Sequence, residues 1–275
     1  MTRYVMSILF IFICTTIAWA VLGTTIFSRT YSLDSTLKNR VASIWGAPHV
    51  QRPPSAHTTK TILRKEEAKE GDKTVLRTVQ DRVHRSLSLE ASKVAVTLDL
   101  EHRQKGLLWY STYKVGFDGS FTFENTTDEE LVTITLNFPT AQAIYDDLVF
   151  AVDGEPIRIE NQKSAIRGTA RIAPGKTAVL TLKYRSQGLE SWRYHFGDDV
   201  NQVKNFQLTM TTNFQDIDFP DNTLAASDKK PLENGWELAW NYKSLLSGYQ
   251  IGMVLPEKLQ PGPLAGQISY FAPIS

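Results

Sequence analysis

The hydrophobic pattern of this chain changes character twice. From Tyr4 to Ser28 no side chain is charged. About 25 apolar residues suffice for a helix to cross a hydrocarbon layer roughly 30 Å thick. Leu33, Leu37, Val41 and Ile44 then recur at helical spacing, with Ser32 placed to cap the start and Gly46 and Pro48 to end the run. This predicts a short amphipathic helix over 32–45 that rests on the bilayer surface or, as the plainer reading, packs as a connector on the β domain. Beyond the Pro53-Pro54 break the period becomes two. Thr59–Leu63 and Thr74–Val79 flank a charged turn and predict a hairpin with Gly71-Asp72 at its tip.

The alternation is clearest from Ala91 onward. Val94, Val96, Leu98 and Leu100 alternate with Ala, Thr and Asp, and Val132, Ile134, Leu136 and Phe138 alternate with Thr and Asn. Phe117, Phe121 and Phe123 lie beside Gly116 and Gly119, where bulges are expected. Further strands are predicted over 147–152, 157–159, 165–172, 177–184, 206–214, 236–242 and 249–254. The strand from Thr177 follows a turn at Ala173-Pro-Gly-Lys176. About a dozen short strands with no helix–strand alternation mean an all-β fold. The expectation is one or more antiparallel β-sandwiches, preceded by a transmembrane helix and the amphipathic helix.

The chain divides accordingly into an anchor (1–28), a helix and linker (29–56), a β-sandwich domain (57–262) with a subdivision near 187, and a final segment (263–275). That segment turns apolar and aromatic, like the first turns of a second membrane helix. Ala18-Trp19-Ala20 has the small-x-small form of a signal-cleavage site. The apolar run continues through Phe27, however, so a retained anchor is expected over a cleaved signal.

Composition narrows the functional classes. The 275 residues include 30 basic and 29 acidic side chains, a net charge of +1, which gives nucleic acid no electrostatic purchase. The one cysteine, Cys14, lies in the apolar run. The β region therefore holds no disulfide, zinc–thiolate site or cysteine nucleophile, and no cofactor is expected. No HExxH, GxSxG or SxxK pattern marks a catalytic centre. Five scattered histidines suit turns and surface better than a metal. Asp216–Asn222 resembles a calcium loop but carries Pro220 in a ligand slot and Asp221 where glycine is needed, so it reads as a turn. Asp146-Asp147 and Asp198-Asp199 are neighbours on the chain, so each pair splits across a strand and forms no carboxylate dyad.

Two groups remain as candidate contacts. The stretch from Arg158 to Arg185 is basic, and on alternating strands Arg167, Arg171, Lys183 and Arg185 would share a face able to touch anionic headgroups or glycan phosphates. Trp192, Arg193 and Tyr194 place aromatic rings beside a cation, suited to stacking on a sugar. A solvated strand face and ordinary core packing are the plainer readings of the two.

Several segments in order resemble the CreD family of bacterial inner-membrane proteins linked to cell-envelope integrity. These are the span followed by Arg40-Val-Ala-Ser-Ile-Trp-Gly46, the run Leu98–Phe121, Asn234-Gly-Trp-Glu-Leu-Ala-Trp240, and Pro261–Ala272, where family members begin a bundle of membrane helices. The resemblance implies an extracytoplasmic β domain between a first and a second membrane helix, with no catalytic residues to transfer. It implies a protein of the bacterial inner membrane with its bulk in the periplasm. Expected partners are the lipid bilayer and an envelope glycan, lipid or membrane-protein subunit. The expected function is non-enzymatic binding in envelope integrity or stress response. The alternatives are a periplasmic carbohydrate-active enzyme and an accessory domain of a membrane transporter complex.

Overall fold

The computed structural model describes residues 2–70, 73–106, 108–141, 143–197, 202–246 and 248–261, together with Leu264 and Ile268. Helix α1 runs unbroken over Thr2–Trp45, 44 residues. At 1.5 Å per residue that is about 66 Å. The expected break at Ser32 is absent. Between Gly23 and Gly46 there is neither glycine nor proline, so nothing removes a hydrogen bond from the ladder, and a lone serine does not outweigh its continuation. The stop falls where expected: Gly46 has φ 94°, and its N–H donates to the Ala42 carbonyl at 2.9 Å.

The first part of α1, Arg3–Ile26, has a mean hydropathy of 2.5 and is long enough to cross a membrane. Its last turns dock on the β domain. Leu37, Val41, Ala42 and Trp45 pack with Leu108, Tyr110 and Leu189. Lys38 ion-pairs with Glu190 at 2.6 Å, and the Arg103 guanidinium lies 3.3 Å above the Trp45 ring. A docked helix therefore joins the apolar segment to the β domain.

The strands follow in order. They begin with β1 (His49–Gln51), β2 (Ser55–Glu70), β3 (Lys73–Ser86), β4 (Ser88–Lys105), β5 (Leu108–Glu124) and β6 (Leu131–Asn137). Next come β7 (Asp146–Val152), β8 (Glu155–Pro156), β9 (Ile159–Gln162), β10 (Ala165–Arg171) and β11 (Thr177–Leu189). The last are β12 (Ser191–Tyr194), β13 (Val203–Thr212), β14 (Asp228–Leu232), β15 (Gly235–Leu245) and β16 (Ile251–Val254). They form an eight-stranded sheet in the order β14-β15-β13-β4-β5-β11-β7-β8, a five-stranded sheet β3-β2-β6-β10-β9 and a three-stranded sheet β1-β12-β16.

Among the described residues the fold is all-β apart from α1 and the helical positions Pro261, Leu264 and Ile268, as the alternation predicts. Val94, Val96 and Leu98 of β4, Phe117, Phe121 and Phe123 of β5 and Leu182 of β11 face Val132, Ile134 and Leu136 of β6 and Ile166 of β10 in one core. Two pairings are parallel, β4 with β13 and β1 with β12. Near Gln187, β11 continues to Leu189, and the core takes residues from both sides of that point, Leu182 and Trp192 among them.

No register shift occurs at Gly116 or Gly119, because β5 pairs continuously with β11 through both. Gly119 instead makes room for rings: a Cβ there would lie 2.6 Å from Phe121 and 2.9 Å from Phe117. The irregularities fall at Leu89/Ala91 and at Lys183/Arg185.

The expected hairpin is longer than its apolar positions suggested. β2 pairs with β6 only over Ser55–Thr58, while its pairing with β3 continues to Glu70–Lys73. The ribbon beyond Thr58 has no third strand and extends about 40 Å at roughly 3.3 Å per residue. Its expected tip, Gly71-Asp72, lies outside the described residues. So does the expected second membrane helix over 263–275, apart from Leu264 and Ile268. Just before it, the Gln260 side chain clasps the Trp109 backbone, accepting from its N–H at 2.8 Å and donating to its carbonyl at 2.7 Å.

Candidate binding cleft

One end of the sandwich opens into a cleft of about 580 Å³. The start of β2 forms one wall and the β3–β4 turn another. Tyr194, Phe196 and Phe206 line it from the core side, meeting in pairs at ring-centroid distances of 5.6, 5.4 and 5.0 Å. Offset and edge-to-face contacts of this kind hold each ring in one orientation. The polar lining comes from Ser55, Ser86, Ser88, Ser92, Asn137 and Gln202, with Arg52 and Lys204 as its charged members. Ser55, Ser86 and Ser88 stand at the ends of β2, β3 and β4, while Ser92 lies within β4 and is buried.

Lys204 is held by Glu90, with Nζ 2.8 and 3.0 Å from the two carboxylate oxygens. The Ser88 hydroxyl donates to the same carboxylate at 2.5 Å. The bonds from Lys204 and then Ser88 lower the Glu90 pKa below the usual carboxylate value. Among the described residues no carboxylate lines the cleft itself. The rings back the cleft without offering stacking faces, since Tyr194 and Phe206 are each 1% and Phe196 7% exposed, so its contact groups are the hydroxyls, the amides, Arg52 and Lys204.

The residues singled out in the sequence disperse. Arg167 and Arg171 are exposed on β10, on the outer face of the five-stranded sheet. Lys183 and Arg185 are exposed on β11, on the outer face of the eight-stranded sheet. The expected shared basic face does not form, because the turn at 173–176 carries the chain from one sheet to the other. Lys183 is paired with Asp118 at 2.7 Å and Arg185 with Asp147 at 3.3 Å. Arg167 borders a separate recess with His57 and His84, whose ring centroids are 5.3 Å apart. Burial, then the charges of His84 and Arg167, lower the His57 pKa.

Trp192 is 0% and Tyr194 1% exposed. Neither presents a ring face to solvent, and only Tyr194 reaches the cleft. Arg193, between them, is half-buried on β12, opposite Val50 and Gly252. The acidic run 216–222 is irregular: Asp218 bridges to Val254, and the turn is confined to Asp221-Asn222, with Asn222 at φ 60° and the Thr223 hydroxyl donating to the Pro220 carbonyl at 2.5 Å. Asp198-Asp199 lies outside the described residues.

A polar cluster in the interior has no local signal in the sequence. His49 and Gln51 are both fully buried, while Val50 between them is exposed. Hydropathy reads this strand inside out. Gln51 Oε1 accepts from the Tyr184 hydroxyl at 2.5 Å, and its amide nitrogen donates to the Arg52 carbonyl at 2.5 Å. The His49 ring stacks near Tyr145 at 6.3 Å and meets Tyr113 edge-on at 5.7 Å. Burial lowers its pKa to about 4, outweighing the Gln187 backbone beside it, and neither ring nitrogen completes a well-formed hydrogen bond. Burial likewise raises the phenols of Tyr113, Tyr184 and Tyr194, so all three stay neutral.

No protein-family model and no curated protein matches the chain. Among solved structures, a Legionella pneumophila protein provisionally assigned as nutrient-binding aligns at a TM-score of 0.46 and 10% identity. The alignment covers 75% of this chain and 71% of that one. A Deinococcus radiodurans M1 zinc metallopeptidase aligns at 0.40 and 12% identity, covering 62% of this chain and 43% of the peptidase. This chain thus spans less than half the peptidase's length. Likeness at these levels carries no argument about function.

Proposed function

We propose that this chain is a membrane-anchored, extracytoplasmic binding domain of the bacterial cell envelope, CreD-like in its residues. On this reading it sits at the inner membrane with its bulk in the periplasm. It holds a polar envelope component, a glycan or a lipid headgroup, in the end cleft, and it acts without catalysis in envelope integrity or stress response. The observation that carries the reading is the cleft, backed by buried rings, with its hydroxyl lining and Lys204 fixed at its edge. One feature supports it: helix α1 holds the domain next to its apolar segment by a docked surface.

The test is a titration of the full chain, in detergent micelles, with isolated envelope glycans, anionic lipid vesicles and uncharged lipid vesicles. Saturable binding to either the glycans or the anionic vesicles, absent with uncharged vesicles, is expected and identifies the source. Hydrolysis of any glycan in the panel, or no saturable binding to any member, overturns the proposal.

A further inference from the structure

The protruding arm has a free edge. β3 ends the five-stranded sheet, so one side of its backbone, from Lys73 to Ser86, has no neighbour within the described chain. The ribbon beyond Thr58 consists of β2 and β3 alone. A two-stranded ribbon is marginal in water, and a third or fourth strand stabilises it. An open edge of this length normally attracts another strand unless its sequence forbids it.

The sequence of β3 fits its own copy. In an antiparallel pair about a two-fold axis, only registers centred on a residue keep opposed side chains on one face. Centred on Val79, positions 73 to 85 all find partners, the longest overlap β3 allows. Val79 then faces its symmetry mate, and Arg77 of each copy faces Asp81 of the other, on the same face of the sheet. Arg77, Val79 and Asp81 are all exposed in the single chain. The other face sets Thr78 against Gln80. Like charges fall opposite each other only at the end positions of the register, 73 and 85.

Neighbouring registers fit worse: centring on Thr78 sets Arg77 against Val79, and centring on Gln80, whose overlap is as long, sets Asp81 against Val79, so both lose the Arg77–Asp81 pair. Centring on Asp81 sets Asp81 against itself and Arg77 against Arg85. Centring on Arg77 sets that residue against itself. The outer edge of β2 is less open, because Lys60 near its base is drawn to Asp128 and Glu129 at 3.8 and 3.7 Å, which brings their loop against that edge.

From this we propose that β3 is a self-recognition edge: two copies of this chain pair antiparallel along it, centred on Val79, and close their arms into a four-stranded sheet. The arrangement leaves the two sandwiches at opposite ends of the shared arm, about 40 Å apart on the same rise per residue, so they do not collide. It rests on the arm alone and is independent of the cleft.

The experiment uses the full chain in detergent micelles with Cys14→Ser, which leaves no native thiol. Opposed residues in an antiparallel pair have Cα atoms about 4.5–5.5 Å apart, within disulfide range. Val79→Cys is therefore expected to form a disulfide-linked dimer under mild oxidation, and Lys65→Cys, on β2, is not. Sedimentation corrected for bound detergent is expected to show a dimer. Arg77→Asp should weaken it about tenfold by opposing like charges at two positions, and the exchange Arg77→Asp/Asp81→Arg should restore it. A monomer at every concentration, a crosslink at position 65 and none at 79, or a charge reversal that the exchange does not rescue, overturns the proposal.

Discussion

His49 makes stability depend on pH in a window that few other groups share. Its pKa in the folded chain is about 4, against 6.5 for an unperturbed histidine. As pH falls through 6.5 the unfolded chain takes up a proton that the folded chain refuses, so stability drops until about pH 4 and then levels. At 1.36 kcal/mol per pKa unit the full difference is about 3 kcal/mol, and some 2–3 kcal/mol of it is lost by pH 4.5. That is a large share of a typical 5–15 kcal/mol. His49→Phe keeps a ring between Tyr113 and Tyr145 and removes the titration. The assay is urea unfolding of wild type and His49→Phe in micelles at pH 7 and pH 4.5, followed by tryptophan fluorescence, since Trp192 and Trp240 lie fully buried in the β core. The expected result is a variant within about 1 kcal/mol of wild type at pH 7 and about 2–3 kcal/mol more stable than wild type at pH 4.5. His57 and the lowered carboxylates Glu90 and Glu101 titrate in both proteins and cancel in the comparison. Parallel losses of stability in the two proteins would refute the reasoning.

Two further substitutions test the packing. Gly235 has φ 153°, and a Cβ there would lie 1.9 Å from the Thr212 carbonyl oxygen. Gly235→Ala should therefore cost about 3 kcal/mol or more, read as a fall in the urea midpoint, and an unchanged midpoint would contradict the β13–β15 junction. Val41, 4% exposed, is the centre of the α1 contact. Val41→Asp should undock the last turns of α1 and expose residues 37–48 to protease while leaving the unfolding free energy of the β domain within about 1 kcal/mol of wild type. Unchanged protease resistance would show that the helix is held by something other than this patch.

The β class was legible because one buried face per strand imposes a period of two, and Val94–Leu98 and Val132–Leu136 display it without interruption. The turn at 173–176 was legible for a local reason. Pro174 sets the first turning position, Gly175 takes φ 71°, and the Lys176 N–H closes the turn on the Ala173 carbonyl at 3.1 Å. What escaped was long-range. Nothing local tells β10 from β11 as members of different sheets, so one basic stretch looked like one surface. Trp192 and Tyr194 looked like stacking rings because an aromatic strand reads the same in a core as at a sugar site. The cleft joins side chains from residue 52 to residue 206, which no local pattern can announce. His49 was missed because its strand buries the polar residues and exposes the valine.

The measurement that bears most directly on the central claim is the affinity of one envelope component, identified in the titration, for three proteins. These are wild type, Lys204→Ala at the cleft, and Arg167→Ala/Arg171→Ala on the outer face of the five-stranded sheet. The Lys204 side chain is 41% exposed, so its truncation removes a charge from the cleft edge without opening the core. A cleft-bound component should lose about tenfold in affinity with Lys204→Ala and bind the double variant as it binds wild type. The reverse, with affinity lost on the arginine face and kept at the cleft, would contradict the account.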